Sequence, residues 1–598
     1  MESKVLKKRG EIQEKDKWAV NEIYSCDEEW EREYKELQEE APKLKSFEGK
    51  LGDAKVLEEY FEVNEKTSRK AEKIYVYAHL RSDEDTSNTT YQAMMNKIDA
   101  YMAEYATYTA YVVPEILALP DGTIEKLMNE NKGLEPYKFL IENILKEKPH
   151  VLDKKEEELL AAASDCLDAP SSIHNIMTNA DMKFGNIKDE DGEEVELTEG
   201  NYSSFIKSKD RNVRKAAFER LFGEYKSFEN TLATTLSSSI KVFNFGAKIR
   251  NYNSALEASL KPNDIPTEVY TNAVKTINDN LSSLHRYVKL KKKLLGLEEM
   301  HMYDLYVPVI EVPKEHVEFD KAVEMAVEGL NPLGKEYLDI FQGGINGGWI
   351  DKYINKGKRG GAYSWGGYDT KPYVLLNYNY ELNDVSTLVH EMGHSIHSYY
   401  SRKEQSYYYA GYTLFCAEVA STTNEALLIH HLINKETDKK KKLYLINQEL
   451  EQIRTTVFRQ LMFAEFELYT HESFEKGLPL TAQDYNAKWH ELNVKYFGPD
   501  MVVDSDIDVE WSRIPHFYSD FYVYQYATGY AAASAFANSI LNGEKDAVEK
   551  YVGFLKSGGS DYPIEILKKA GVDMTTSKPL EATINRFNEL LDMLEKEI

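Results

Sequence analysis

At 598 residues the chain is too long for one hydrophobic core, so two or more lobes are expected. Its 42% hydrophobic and 29% charged content is that of an ordinary globular protein. A net charge of -27 argues against nucleic acid and against docking on anionic lipid, because both need a basic face.

The opening "MESKVLKKRGEIQEKDKW" has positive charge but no apolar run behind it, so no secretory signal is expected. No apolar stretch approaches the ~18 residues of a membrane span. Cys26, Cys166 and Cys416 are few and far apart, as in a reducing compartment, and the expected location is the cytoplasm. Apolar and aromatic residues three and four apart predict helices over 56–82 and 90–112. In "MKFGNIKDEDGEEVELTE" (182–198), two short extended runs flank Asp191-Gly192, which predicts a hairpin. A boundary is placed there, between an N-terminal helical region (1–198) and the rest of the chain (199–598).

Helical periodicity resumes over 214–249 and 267–295. The glycine-rich stretch 341–384, with the β-prone run "KPYVLLNYNY", predicts a small antiparallel sheet inside a helical protein. Its glycines fit no phosphate-binding pattern. The lysine run 439–442 reads as a solvated helix start. The expected fold is therefore predominantly α-helical.

"LVHEMGHSIHSYY" (388–400) carries an H-E-x-x-H motif. With 14 histidines, such a motif arises by chance in roughly 3% of chains of this length, so its context has to decide. Asn383 or Asp384 would cap a helix running to about Tyr400. His390 and His394 then lie about 40° apart around the axis and both reach one metal. Glu391 stands beside the first of them. Val389, Met392 and Ile396 would face the core, and Gly393 would let another backbone approach closely.

Two imidazoles and one further ligand suit zinc, one ion per chain, with a position left open for water. The metzincin pattern would need glycine at 397 and histidine at 400, where the chain has His397 and Tyr400. Thermolysin-type enzymes would need a glutamate where Thr413 and Leu414 stand. Glu418, among apolar and small neighbours on the next helix, is the third-ligand candidate, since a zinc ion offsets the burial of its charge. Glu425, two turns on, would orient a ligand imidazole. His397 lies about 10 Å along the axis from His390 and reads as a packed histidine.

Further motifs occur in order: "DRNVRKAAF" (210–218), "GKRGGAYS" (357–364), "AEVASTTNEALL" (417–428), "PHFYSDFYVYQYATGYAAASAFA" (515–537) and "LKKAGVDM" (567–574). With "HEMGHSIH" they resemble the thimet oligopeptidase family of zinc peptidases, in its oligoendopeptidase F branch. The resemblance implies two helical lobes around a deep substrate channel, with the zinc site and a small sheet beside it. It implies short, unstructured peptides as substrates. It assigns His390, His394 and Glu418 as zinc ligands and Glu391 as general base. It also implies that His516, with Tyr522 or Tyr524, binds the substrate carbonyl oxygen; Tyr518, Tyr526 and Tyr530 stay open for that role. One rival reading is a zinc carboxypeptidase or dipeptidyl exopeptidase, with Arg359 gripping a terminal carboxylate. Another is a non-catalytic peptide-binding protein with a structural zinc, which would need four protein ligands, usually with cysteines among them; Cys416 faces away from Glu418, about 200° round the helix.

Overall fold

The computed structural model describes residues 6–310 and 315–597. It is predominantly helical, with only short strands. The chain divides into two compact units, and it passes between them more than once. The first comprises Met1–Lys148, Lys314–His431 and Phe536–Gly571; the second comprises Pro149–Pro313, Leu432–Ala535 and Val572–Ile598. The boundary expected at 198 falls inside the second unit, because the division follows packing rather than chain order. Among the described residues no helix is long and apolar enough to cross a membrane.

In the first unit, helices Asp27–Glu40, Ala54–Glu84 and Thr89–Thr109 share a core of Trp30, Leu37, Phe61, Ile74, Tyr77 and Ile98. Asp53 starts the long helix by accepting from the Lys55 and Val56 amides, and Asn88 caps the next one at Thr90. The periodicity at 56–82 and 90–112 thus marks real helices.

The glycine-rich stretch does hold a small sheet, of three strands. Tyr373–Tyr378 lies at its centre, antiparallel to Tyr363–Trp365 and parallel to Ile350–Tyr353. The sheet is therefore mixed rather than purely antiparallel. Tyr373 to Leu376 are all buried, which is why the central run reads as apolar without alternation. Its first residues, 341–346, instead finish the helix Gly334–Asn346. The Lys358 side chain of "GKRGGAYS" is buried, 2.7 Å from Asp351, and donates to the Tyr353 carbonyl at 2.8 Å and the Leu376 carbonyl at 2.5 Å, clasping two neighbouring strands of this sheet.

In the second unit, the hairpin pairs Asn186–Lys188 with Glu194–Glu196, and Gly192 takes φ +83° in the turn. The two long periodic stretches are each broken once. Phe228 separates Arg211–Ser227 from Glu229–Ile249, and Asn280 separates Thr267–Asp279 from Leu281–Leu294. "DRNVRKAAF" is another clasp: Arg211 and Arg214 both reach fully buried Asp304 at 2.8 Å. Lys439–Ile453 begins as a helix capped by Asp438, with Lys439 and Lys440 exposed, as expected of a solvated start.

Candidate active site

The motif helix spans Leu382–Glu404. Its N-cap is Glu381, earlier than the Asn383 or Asp384 that the sequence suggests. Asp384 acts three residues in, accepting from the Glu381 amide at 2.9 Å and the Asn379 amide at 2.8 Å. Val385, Leu388, Val389, Met392 and Ile396 are fully buried and fix which way the helix faces. His390 and His394 are left on the partly exposed side.

Glu418 comes from the helix Leu414–Lys435. The three donors form a near-regular triangle. His390 Nε2 and His394 Nε2 lie 3.2 Å apart, and they lie 3.5 and 3.4 Å from Glu418 Oε2. Bonds of about 2.0–2.2 Å at tetrahedral angles put neighbouring ligands about 3.3–3.6 Å apart. The donor set and its spacing therefore fit a zinc ion with its fourth position open.

The two helices meet backbone to backbone. A Cβ at Gly393 would stand 2.7 Å from Ser421 Cα and 2.9 Å from the Ala420 carbonyl oxygen, so only glycine allows this approach. Around that contact lie polar locks. Asn424 Nδ2 donates to the Val389 carbonyl at 3.0 Å, and Tyr337 donates to Asn424 Oδ1 at 2.8 Å. Ser421 Oγ donates to Glu418 Oε2 at 3.0 Å. Glu425 Oε2 stands 3.4 Å from His390 Nδ1, and Ser386 donates to its other oxygen at 3.2 Å. A carboxylate on Nδ1 fixes the tautomer that presents Nε2. Ser364, on the edge strand, meets Ser395 of the motif helix at 2.8 Å.

These contacts set the charges. Partial burial alone would raise the Glu418 carboxyl, but hydrogen bonding and charge from His394, with His390 and Ser421, bring it down to about 2. Burial would lower the His390 imidazole, yet Glu425 and the other carboxylates outweigh it and raise it to about 9. Glu391 is 7% exposed, and burial pushes its carboxyl up against the pull of the two imidazoles. His397 is buried, stacked on Tyr412 with centroids 3.8 Å apart; it is the packed histidine its spacing suggests.

His516, Tyr522 and Tyr524 belong to the second unit. The structure groups His516 with Tyr522 and Tyr526. Ring centroids lie 5.9 Å from His516 to either tyrosine and 5.5 Å between the tyrosines, and the Tyr526 hydroxyl is 3.4 Å from His516 Nε2. Tyr524 is not part of the group: it is 2% exposed and packs on Tyr270 at 5.0 Å. Tyr518 is engaged with Thr235 at 2.8 Å, and Tyr530 is buried. Burial lowers the His516 imidazole, which keeps it neutral near pH 7. Arg359 leans on Asp83 at 3.3 Å, and Cys416 is buried.

Sequence reasoning named Glu425 but missed Asn424 and Ser421. A run of buried polar residues, Ser421 to Asn424, inside an apolar helix was the available signal.

Comparison with known proteins identifies the family. The description Peptidase family M3 matches residues 204–586, and Oligopeptidase F matches residues 115–184. Oligopeptidase PepF of Bacillus subtilis is 48% identical over 99% of this chain and 88% of its own. Group B oligopeptidase PepB of Streptococcus agalactiae is 42% identical over 98% of both chains. The crystal structure of oligoendopeptidase-F from Enterococcus faecium superposes with a TM-score of 0.73, at 41% identity, over 96% of this chain and 99% of that one. The chain belongs to peptidase family M3, in its oligopeptidase F branch, and is a metallo-oligopeptidase.

Proposed function

We propose that the protein is a zinc-dependent endopeptidase that cuts internal bonds of short, unstructured peptides, with His390, His394 and Glu418 holding the ion. The observation that carries this is the triangle of donors with tetrahedral edge lengths. The relatives' names, oligopeptidase and oligoendopeptidase, support the substrate class and internal cleavage. Zinc in such a site supplies Lewis acidity, which makes an attacking water more acidic and polarises a carbonyl.

The rest of the chemistry falls to side chains of this chain. Glu391 takes the proton of the attacking water on its carboxylate and returns it to the leaving amine. Its burial suits the first half of that exchange, since a carboxyl raised above its ordinary value makes the carboxylate a stronger base toward the water proton. Glu425 holds His390 by Nδ1. His516 and the Tyr522 hydroxyl, with Tyr526 beside them, donate to the carbonyl oxygen as it becomes anionic. The edge strand Tyr363–Trp365 pairs with an extended substrate through main-chain hydrogen bonds.

The test is product mapping by mass spectrometry on a nested series of unstructured peptides, about 5 to 30 residues long, with and without a zinc chelator. Internal cuts that stop with chelator and return with zinc are expected. Cuts confined to either terminus would make the enzyme an exopeptidase, and chelator-insensitive cutting would remove the metal from the reading.

A further inference from the structure

Between the turn Pro515–Tyr518 and the helix Tyr524–Leu541, the chain passes through a strained link. Phe521 takes φ +58° in the left-handed region. A bulky aromatic residue there costs on the order of 1–3 kcal/mol and persists only where its surroundings hold it. Phe521 is 1% exposed, with its ring 4.6 Å from that of His471 and 5.5 Å from that of Tyr270.

Its amide has one partner, the Oε1 atom of Glu467, at 2.6 Å. Glu467 sits on the helix Arg459–Glu475 and is 2% exposed. It has no ion-pair partner among the described residues, and its Oε2 atom has no hydrogen-bond partner. Burial raises its carboxyl well above the usual carboxylate range, with the nearby Asp520 charge adding to that against the pull of the Phe521 amide. The preceding residue is tied as well. Asp520 Oδ1 lies 3.4 Å from His471 Nε2, and Ser259 donates to the Asp520 carbonyl at 3.1 Å.

Burying an acid without a cation is expensive, and an apolar side chain would fill the same space at less cost. What the acid adds is an acceptor for an amide that the left-handed turn takes out of any helix or strand ladder. The same turn brings Tyr522 to the partly exposed side beside His516, while Phe521, Val523 and Tyr524 go into the core.

We infer that Glu467 is a positioning residue: by accepting from the Phe521 amide it fixes the turn that presents the Tyr522 hydroxyl. This rests on the reading that Tyr522 donates to the substrate oxygen. It gives a role to a buried acid remote in sequence from every motif that carries the chemistry.

The test is a double-mutant cycle on the zinc-loaded full chain, with steady-state kinetics and hydrogen exchange of the Phe521 amide. Tyr522→Phe lowers kcat by about 10² or more. Glu467→Leu lowers kcat by about 10- to 100-fold with KM within about twofold, and Phe521 amide protection is lost. Glu467→Gln keeps an acceptor oxygen and restores both to within about threefold of wild type. In the Tyr522→Phe background, Glu467→Leu costs less than about threefold further. Where the leucine variant does not fold, Glu467→Asp, which draws the oxygen back by one methylene, gives the same split.

A multiplicative loss in the double variant, an unchanged kcat in Glu467→Leu, or a glutamine variant as slow as the leucine one would each overturn the inference. Full activity in Tyr522→Phe would overturn the assignment of that tyrosine, and this inference with it.

Discussion

The two groups of candidate catalytic side chains are built in opposite ways. The metal donors stand on two long helices that touch main chain to main chain at Gly393 and Ser421, with Asn424 and Glu425 locking them from the sides. The His516–Tyr522–Tyr526 group stands on a link of irregular backbone, held at a strained residue by one buried acid. Three ligand atoms must keep fixed separations, which two packed helices provide without strain. In its proposed role the Tyr522 hydroxyl would meet a developing charge, and the left-handed Phe521 sets the angle at which that tyrosine leaves the chain.

The comparison can be broken most sharply at its chemistry. Glu391→Gln removes a proton acceptor without touching a ligand, and kcat should fall by about 10³–10⁴ with full metal content by atomic spectroscopy. Near-normal turnover in a fully loaded sample would take the base role away from Glu391. Next come the tyrosines. Tyr522→Phe should cost about 10²–10³ in kcat, roughly 3–4 kcal/mol. Tyr524→Phe should leave kcat alone and lower stability by ~1 kcal/mol. If Tyr524→Phe were the slower enzyme, the grouping of Tyr522 with His516 would have been misread as function.

Gly393→Ala probes the helical side. Alanine favours a helix by about 1 kcal/mol over glycine, so an exposed site would gain stability. Here the methyl meets the Ser421 backbone, and a net loss of about 1–3 kcal/mol is expected, with weaker zinc binding in a chelator competition. A rise in melting temperature at unchanged zinc affinity would show that the helices are not held at contact distance.

The smallest effect belongs to His397, whose imidazole burial lowers to about 3 from an ordinary 6.5. Above pH ~6.5 neither the folded nor the unfolded chain protonates it, and its neutral form is no burden. As pH falls from there toward 3, the unfolded chain takes a proton that the fold refuses. Stability then drops by up to about 1.4 kcal/mol per pH unit. With chelator present throughout, His397→Gln should flatten the slope of melting temperature against pH between 6.5 and 5; identical slopes would mean that His397 is solvated in the fold.

How much of this was legible in the sequence follows from range. The motif helix, its buried stripe, the ligand spacing and the role of Gly393 all depend on the 3.6-residue period and on side-chain chemistry, which are local. Glu425 was reachable for the same reason, two turns along from Glu418. What failed depends on distant partners or on one residue's φ. Nothing in the string at 228 announces a break, the one at 280 is marked only by Asn278-Asp279-Asn280, and Asp384 looks like a cap because it does cap, but from inside the first turn. Counting along "YSDFYVYQY" cannot separate Tyr522 from Tyr524, because the left-handed Phe521 sets which tyrosine faces His516. The parallel strand Ile350–Tyr353 and the crossing of the chain between units are likewise tertiary facts. The motifs behind the family resemblance also divide: "HEMGHSIH" and "AEVASTTNEALL" hold the candidate metal donors, whereas "DRNVRKAAF" and part of "GKRGGAYS" are buried clasps around Asp304 and Asp351.

If substrate pairs as proposed with the edge strand Tyr363–Trp365, whose outer side has no strand partner among the described residues, that edge would also decide which molecules are left alone. A strand edge offers the same amides and carbonyls to every sequence, so it cannot discriminate by composition. It discriminates by conformation: a partner must bring a run of main chain whose own donors and acceptors are unsatisfied. A native protein has closed those groups into its own helices and sheets, whereas a peptide fragment has not. Telling a fragment from a folded chain would then need no recognition of identity, only of whether a backbone is free.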